Sequence, residues 1–574
     1  MARWGLNYLR GNPDPARGYE CKFALGPLGI PCHVPISPPN QHGFDVVSLG
    51  DTDARMDGQY LHMRLMTGDA EPDAVERGVR ARLLGYLRDD GLSWVNPGAA
   101  IGETIDEEWV MSWTTAKTLF GLSETYEQMR NAQKRPGEDA DGTSAAHAGK
   151  MPATHEGGTP SPRRIFEGLR SMALWDGPRA YYPGIAPYKD GQWLRRGWCA
   201  THARNYPFIV EPLVRYWECT GDGESLDLAK AFAEGFLAGS QADMAEMRID
   251  PDTGAFQNHV HLHTHATWGM AHLGAALGER RYLDWVDKAY RFVLSQGTDY
   301  GWYPEFIPQG EWRTEICVVG DMVANGAWLA QGGRPDYWDH VERTIRNEIR
   351  RSQFFLTPDF LELFARLHKD KPAAVVDGAM VELRKIEGGF VAQSTFNDWV
   401  GYDGNLGQPG LYANGIQMMG CCPPEGMHAL WEAYLGVVQQ QGGAVWVNMN
   451  LHRDHAAARV VAYRPEAGRM DVQAKTPGRY MLRPPAWAPR EQVQLASRDG
   501  KGAVHFAGPQ NAYVQIDDVR AGDVLTLTWL APKFTQIFQP ISVPGRSDKF
   551  TISWCGNEVL NVSPAAKYLP MFKE

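Results

Sequence analysis

The feature that most restricts how this 574-residue chain can fold is an internal repeat. One unit runs Phe208-Ile209-Val210-Glu211-Pro212-Leu213-Val214-Arg215-Tyr216-Trp217, then Gly221-Asp222, then Leu226-Asp227-Leu228-Ala229-Lys230-Ala231-Phe232. The next runs Trp268-Gly269-Met270-Ala271-His272-Leu273, then Gly278-Glu279, then Leu283-Asp284-Trp285-Val286-Asp287-Lys288-Ala289-Tyr290. An offset of 57 residues carries Gly221 onto Gly278 and Leu226-Asp227 onto Leu283-Asp284. A third copy follows in Ala327-Trp328-Leu329-Ala330, Gly332-Gly333 and Tyr337-Trp338-Asp339-His340-Val341. Each unit reads as a helix, a Gly-containing turn and a second amphipathic helix. One hairpin cannot bury its own apolar face, so the copies must stack, as an open solenoid or a closed ring. Binding solenoids repeat every ~33–47 residues. The longer period with irregular loops favours an (α/α) toroid over a solenoid.

The surrounding segments divide the chain. Residues 1–50 are rich in Gly and Pro and read as an irregular N-terminal arm. Residues 51–442 read as the helical domain. Within it, residues 132–163 have almost no large apolar side chains and are expected to form a mobile surface insertion. From about Gly443 the spacing alternates, as in Val445-Trp446-Val447-Asn448-Met449-Asn450-Leu451 and Asp523-Val524-Leu525-Thr526-Leu527-Thr528-Trp529. Residues 443–574 therefore read as an antiparallel β-sandwich buttressing the ring, the tail from Asp548 adding a strand or two.

The charge balance of 57 basic against 68 acidic residues, a net −11, argues against a nucleic-acid or anionic-membrane partner. No apolar run of ~20 residues or of signal-peptide length occurs, so the expected location is the cytoplasm. Twenty tryptophans are compatible with a carbohydrate partner, because a sugar's C–H face lies on flat rings, though cores use Trp as well. A homodimer is left open.

The eight cysteines are sparse and irregular, which does not suit a disulfide framework. Cys421-Cys422 stands in Met418-Met419-Gly420-Cys421-Cys422-Pro423-Pro424-Glu425-Gly426. Gly before and Pro-Pro after fix a bend with a helix beyond it, which presents thiolates to a site; core thiols and a strained vicinal disulfide are the other readings. Thr314-Glu315-Ile316-Cys317 sets a carboxylate and a thiol two positions apart. Both can reach one metal only where the segment is extended or just entering a helix. Glu315, Cys317, Cys421 and Cys422 together offer four ligands, the number a tetrahedral zinc takes, and thiolates favour zinc.

These motifs resemble glycoside hydrolase family 127, the β-L-arabinofuranosidases and their relatives. The resemblance covers about residues 195–530. It implies an (α/α)6 barrel followed by a β-sandwich, and a Zn²⁺ held by a Glu-x-Cys pair and a later Cys-Cys-Pro, here Glu315-Ile316-Cys317 and Cys421-Cys422-Pro423. It implies Cys421 as nucleophile and an upstream glutamate as acid/base, best matched by Glu305 in Pro304-Glu305-Phe306, with Glu311 as the alternative. A family His-Glu-x-Tyr is similar to His202-Ala203-Arg204-Asn205-Tyr206, and a Gly-His-Ala is similar to Thr264-His265-Ala266. The expected activity is retaining hydrolysis of a β-L-arabinofuranoside or related sugar. The chemistry is coherent: a retaining glycosidase needs a nucleophile and a proton donor. Zinc keeps a thiol ionised and stabilises it as it leaves. Three thiolates, a carboxylate and Zn²⁺ sum to −2, which suits a developing oxocarbenium ion.

The run His259-Val260-His261-Leu262-His263-Thr264-His265 alternates and reads as an extended segment with four imidazoles on one face. It is expected to line a sugar pocket, with a second metal site or structural histidines as alternatives. The expected substrate contacts are His202, Tyr206, His263, His265 and Trp302. Asp51-Thr52-Asp53 reads as a helix cap or a substrate contact. Two other functions compete: a metal-independent toroidal polysaccharide lyase or glycuronyl hydrolase, and a non-catalytic carbohydrate-binding protein with a structural zinc.

Overall fold

The computed structural model describes residues 1–22, 24–29, 50–69, 71–95, 98–100, 103–105, 108–133, 161–182, 188–189, 191–193, 208–238, 248–308, 313–400, 416–498, 500–539 and 549–572. Its helices are α1 (Ala2–Gly11), α2 (Asp51–Thr67), α3 (Ala74–Gly85), α4 (Ser112–Gln133), α5 (Pro162–Met172), α6 (Val210–Thr220), α7 (Gly223–Ala238) and α8 (Val260–Leu277). They continue as α9 (Arg280–Gln296), α10 (Ile316–Gln331), α11 (Tyr337–Thr344), α12 (Arg350–Ser352), α13 (Pro358–Leu367), α14 (Ala373–Ile386) and α15 (Cys422–Val437).

Burial sorts these helices into two layers. α9 is amphipathic, burying Tyr282, Leu283, Trp285, Val286, Ala289, Tyr290 and Val293 on one stripe. α8, α10 and α15 are buried almost all round, which requires neighbours on every side. Among the described residues the inner helices form a closed ring: α2 packs on α4, α4 on α6, α6 on α8, α8 on α10, α10 on α15, and α15 back on α2. Outside them lie α3 on α2, α5 on α4, α7 on α6, α9 on α8 and α11 on α10. This is the (α/α)6 barrel. The repeat's glycines do the expected work: Gly221 (φ 74) and Gly278 (φ 67) end α6 and α8 in the left-handed conformation, so the chain can reverse into the outer layer.

Two sequence readings are corrected, and the C-terminal one is refined. The N-terminal segment is not irregular throughout: α1 packs on α2 and α14 and completes the outer layer. Farther on, Ala24–Leu25 pairs antiparallel with Met418–Met419, immediately ahead of Cys421. The histidine run is not extended: only His259 has β geometry, and from Val260 the chain is helical. Apolar Val260, Leu262 and Ala266 interleave with the histidines because this helix is buried on all faces, which obscures its period. The C-terminal sheets are antiparallel except where Ala444–Val447 pairs parallel with Gly478–Leu482. Of the expected insertion, residues 134–160 lie outside the described residues, while Ser161 caps α5 and Pro162 opens it.

The β region follows α15 without a break. A five-stranded sheet (Val438–Gln441, Ala444–Val447, Gly478–Leu482, Tyr513–Val519, Phe506–Ala507) accompanies a six-stranded one containing Ala458–Ala462, Arg469–Ala474 and Val524–Thr528. Buried Arg483 fastens them to α11 through two bonds to Asp339, at 3.0 and 3.1 Å. The tail forms a three-stranded antiparallel sheet (Lys533–Phe538, Phe550–Cys555, Glu558–Ser563). That sheet lies against the barrel, with Phe538 and Phe550 on Phe396 and Phe572 on Tyr300. Among the described residues no helix is long and apolar enough to cross a membrane.

Candidate active site

Neighbouring inner helices α10 and α15 bring their N-termini together. Glu315 precedes α10 in extended geometry (φ −131, ψ 126), and Cys317 is the second residue of the helix. The segment just enters a helix, as one shared ligand position requires. Cys421 is the N-cap of α15 and Cys422 its first residue. The sulfurs of Cys317 and Cys422 are 3.5 Å apart, and those of Cys421 and Cys422 are 3.6 Å apart. Glu315 Oε1 is 3.8 Å from the Cys422 sulfur and 4.0 Å from that of Cys421. All four ligand atoms lie within 4.8 Å of one another. Cys317 and Cys422 are wholly buried, while Cys421 keeps 7% exposure and is the most exposed of the three. Hydrogen bonds from the Cys317 and Cys422 thiols hold Cys421 well below an ordinary thiol, whereas burial pushes Cys317 and Cys422 up.

Glu315 of this cluster and the neighbouring carboxyl of Glu305 are driven apart. Asn258–His259 pairs antiparallel with Phe306–Ile307, and Val260 N donates to Glu305 O at 2.9 Å, so His259 and Glu305 arrive together. His259, Glu305 and Glu315 form a second close group. Burial and the neighbouring Glu315 charge push Glu305 up to about 8, against the pull of Arg313. Burial also opposes ionisation of Glu315, but His259 Nε2 at 2.6 Å overrides it and holds that carboxyl well below its usual range. Such a divided pair supplies one proton donor and one fixed anion near neutral pH.

Beneath the cysteines lies a polar floor. Arg55 of α2 bonds Asp51 at 2.7 Å and pairs with Glu425, which Lys117 also reaches at 3.2 Å. The Arg55 guanidinium lies 3.5 Å from His261 Nε2. Asp321 joins His261 Nδ1 at 2.6 Å, His265 Nδ1 at 3.1 Å and the Thr264 hydroxyl at 2.7 Å. Arg55, Lys117, Asp321 and Glu425 escaped the sequence reading. Only Asp321 and Glu425 carried a signal, helical spacing: they stand four residues beyond Cys317 and Cys421, on the same helix faces.

The structure brings together Glu305, Glu315, Cys317, Cys421 and Cys422, with His265 in the floor. It does not bring His263 to them: that ring is stacked on Phe256 at 4.1 Å, on another face of α8, because positions two apart on a helix point different ways. Trp302 is fully buried against Phe396, its indole N–H donating to Ser394 O, and is core rather than a sugar platform. Asp51 belongs to the floor and is no side-chain cap, and Asp53 binds Arg82, Tyr86 and the Cys21 amide. His202, Tyr206 and Glu311 lie outside the described residues.

Solved structures share this fold over most of the chain. A GH127 β-L-arabinofuranosidase from Geobacillus stearothermophilus T6 matches with a TM-score of 0.53 at 14% identity, over 90% of this chain and 76% of that one. Another GH127 β-arabinofuranosidase matches at 0.55 and 14% identity, over 89% and 75%. A protein described as a glycoside hydrolase matches at 0.56 and 11% identity, over 96% and 85%. No family profile and no curated protein matches the sequence. At such identities the likeness establishes the fold, and two of these folds carry the family name that the cysteine motifs suggest.

Proposed function

We propose that this chain is a retaining glycosidase whose nucleophile is the Cys421 thiolate, held in a zinc site with Glu315, Cys317 and Cys422. The observation that carries the reading is the buried convergence of those four donors within 4.8 Å. The donor set suits the ion: two thiolates on a tetrahedral zinc with ~2.3 Å bonds sit about 3.8 Å apart, against sulfur separations of 3.5 and 3.6 Å here. When bound, zinc keeps the thiols ionised at neutral pH and makes thiolate a better leaving group from a sugar.

The chain's own groups supply the remaining chemistry. Cys421, at a helix N-terminus and the most exposed of the three cysteines, attacks the anomeric carbon as the glycosidic C–O bond breaks. Glu305, whose burial favours the neutral carboxyl, gives its proton to the departing oxygen. The resulting carboxylate then takes a proton from the water that cleaves the sugar from Cys421. His259 fixes Glu315 as an anion. A β-L-arabinofuranoside or related sugar is the substrate class favoured by the motif resemblance and by the named activity of two matching structures. Elemental analysis of protein purified under reducing, chelator-free conditions is expected to find about one zinc per chain. Metal-free protein that hydrolyses 4-nitrophenyl β-L-arabinofuranoside would overturn the reading.

A further inference from the structure

Glu305 is held by two donors on a single oxygen. Arg313 Nε lies 2.5 Å from Oε2, and Gln393 Nε2 donates to the same atom at 2.9 Å. The segment carrying Gln393 is stitched into the site's own backbone. Thr314 N donates to Ser394 O at 2.9 Å and Ile316 N to Ala392 O at 3.0 Å, one on each side of Glu315. Ala392 N donates to Gln417 O at 2.7 Å, just ahead of Cys421. Behind it, the Ser394 hydroxyl rests on buried Glu348 at 3.3 Å, and Phe396 is covered by Phe538 and Phe550 of the terminal sheet. Gln393 is 3% exposed, and its own Oε1 is buried without a hydrogen-bond partner among the described residues. An apolar side chain of similar length would fill the space without that uncompensated acceptor, so packing alone does not account for an amide here.

We infer that Gln393 is a positioning residue for the Glu305 proton donor: with Arg313 it occupies Oε2 and leaves Oε1 to carry and deliver the proton. The inference rests on the glycosidase reading above. In the step it serves, the Oε1–H bond breaks and the proton joins the glycosidic oxygen. The C–O bond gives its electron pair to that oxygen while the Cys421 sulfur bonds the anomeric carbon. The alcohol leaves neutral, and the new carboxylate charge falls where Arg313 and Gln393 already donate.

The test compares kcat/KM of Gln393→Met and Gln393→Glu on 4-nitrophenyl and methyl β-L-arabinofuranoside, since only the methyl glycoside needs protonation of its leaving group. Expected for Gln393→Met is a loss of about 100-fold on the methyl glycoside and under about threefold on the nitrophenyl one, with zinc content unchanged. Glu305→Gln should show the same contrast more strongly. If Gln393→Met fails to fold, Gln393→Glu, nearly identical in shape, replaces the donor and carries the same expectation. Equal losses on both substrates, or none, in an enzyme that Cys421→Ser inactivates would overturn the role of Gln393 alone. A wild-type protein that hydrolyses neither substrate, or a fully active Cys421→Ser, would overturn the parent reading and this one with it.

Discussion

The ring closes where its first and last inner helices meet, and Arg55 crosses that seam. Its side chain is 4% exposed and lies between Asp51 at 2.7 Å and Glu425, whose side chains are 7% and 5% exposed. Arg55→Met keeps most of the stem's packing but strips both carboxylates of the guanidinium. Asp51 fares worse, because its Oδ1 already has no hydrogen-bond partner among the described residues. Glu425 retains Lys117 at 3.2 Å. Breaking one side of a buried ion pair costs about 3–5 kcal/mol, and the surviving Lys117 contact places this case near the lower figure, about 3 kcal/mol. Urea unfolding followed by tryptophan fluorescence reads the loss as a shifted midpoint. Adding Asp51→Asn removes the bare charge and should restore at least about half of the loss. A loss below about 1 kcal/mol, the range of exposed pairs, or no recovery in the double variant, would refute a desolvated seam.

Other perturbations reach the barrel wall and the helix crossing. A Cβ at Gly320 would stand 2.7 Å from Glu425 O, so Gly320→Ala should push α10 from α15, cost about 1–3 kcal/mol and lower zinc retention; unchanged metal content and melting would refute it. Cys422→Ser should lose zinc together with activity, because in the proposed site its part is ligation alone; full zinc with lost activity would contradict that. Burial opposes charging of His272, but Glu211 at 2.8 Å and Glu218 at 3.1 Å raise it to about 10. Its folded pKa exceeds the unfolded value of about 6.5, so the contribution is complete below about pH 6.5 and is lost as pH rises through about 10. Unfolding free energy should fall between pH 7 and 10 in wild type and less so in His272→Gln; identical slopes would show the imidazole to be neutral.

The barrel was legible because its repeat is punctuated: Gly221 and Gly278 mark equivalent reversals, and α9 shows a clean apolar stripe. The four converging donors were legible as a candidate site because they come as local pairs at helix starts, flanked by Pro and Gly. The inner helices hid their nature. A helix buried all round has no polar face, so the His259–His265 run displayed a misleading two-residue alternation. Arg55, Lys117, Asp321 and Glu425 were not legible as a group, because their charges meet only across the ring; Arg55 and Glu425 are 370 residues apart. The parallel pairing of Ala444–Val447 with Gly478–Leu482 is equally a matter of tertiary arrangement, since alternation fixes faces and not strand direction.

In the proposed mechanism Cys421, not a carboxylate, becomes bonded to the sugar. Peptide mass spectrometry after incubation with a furanosyl mechanism-based inactivator tests it most directly. One sugar-derived adduct per chain on Cys421, absent from Cys421→Ser and undiminished in Glu305→Gln given an activated leaving group, is the expected result. An adduct on Glu305 or another carboxylate, together with near-normal turnover by Cys421→Ser, would contradict it.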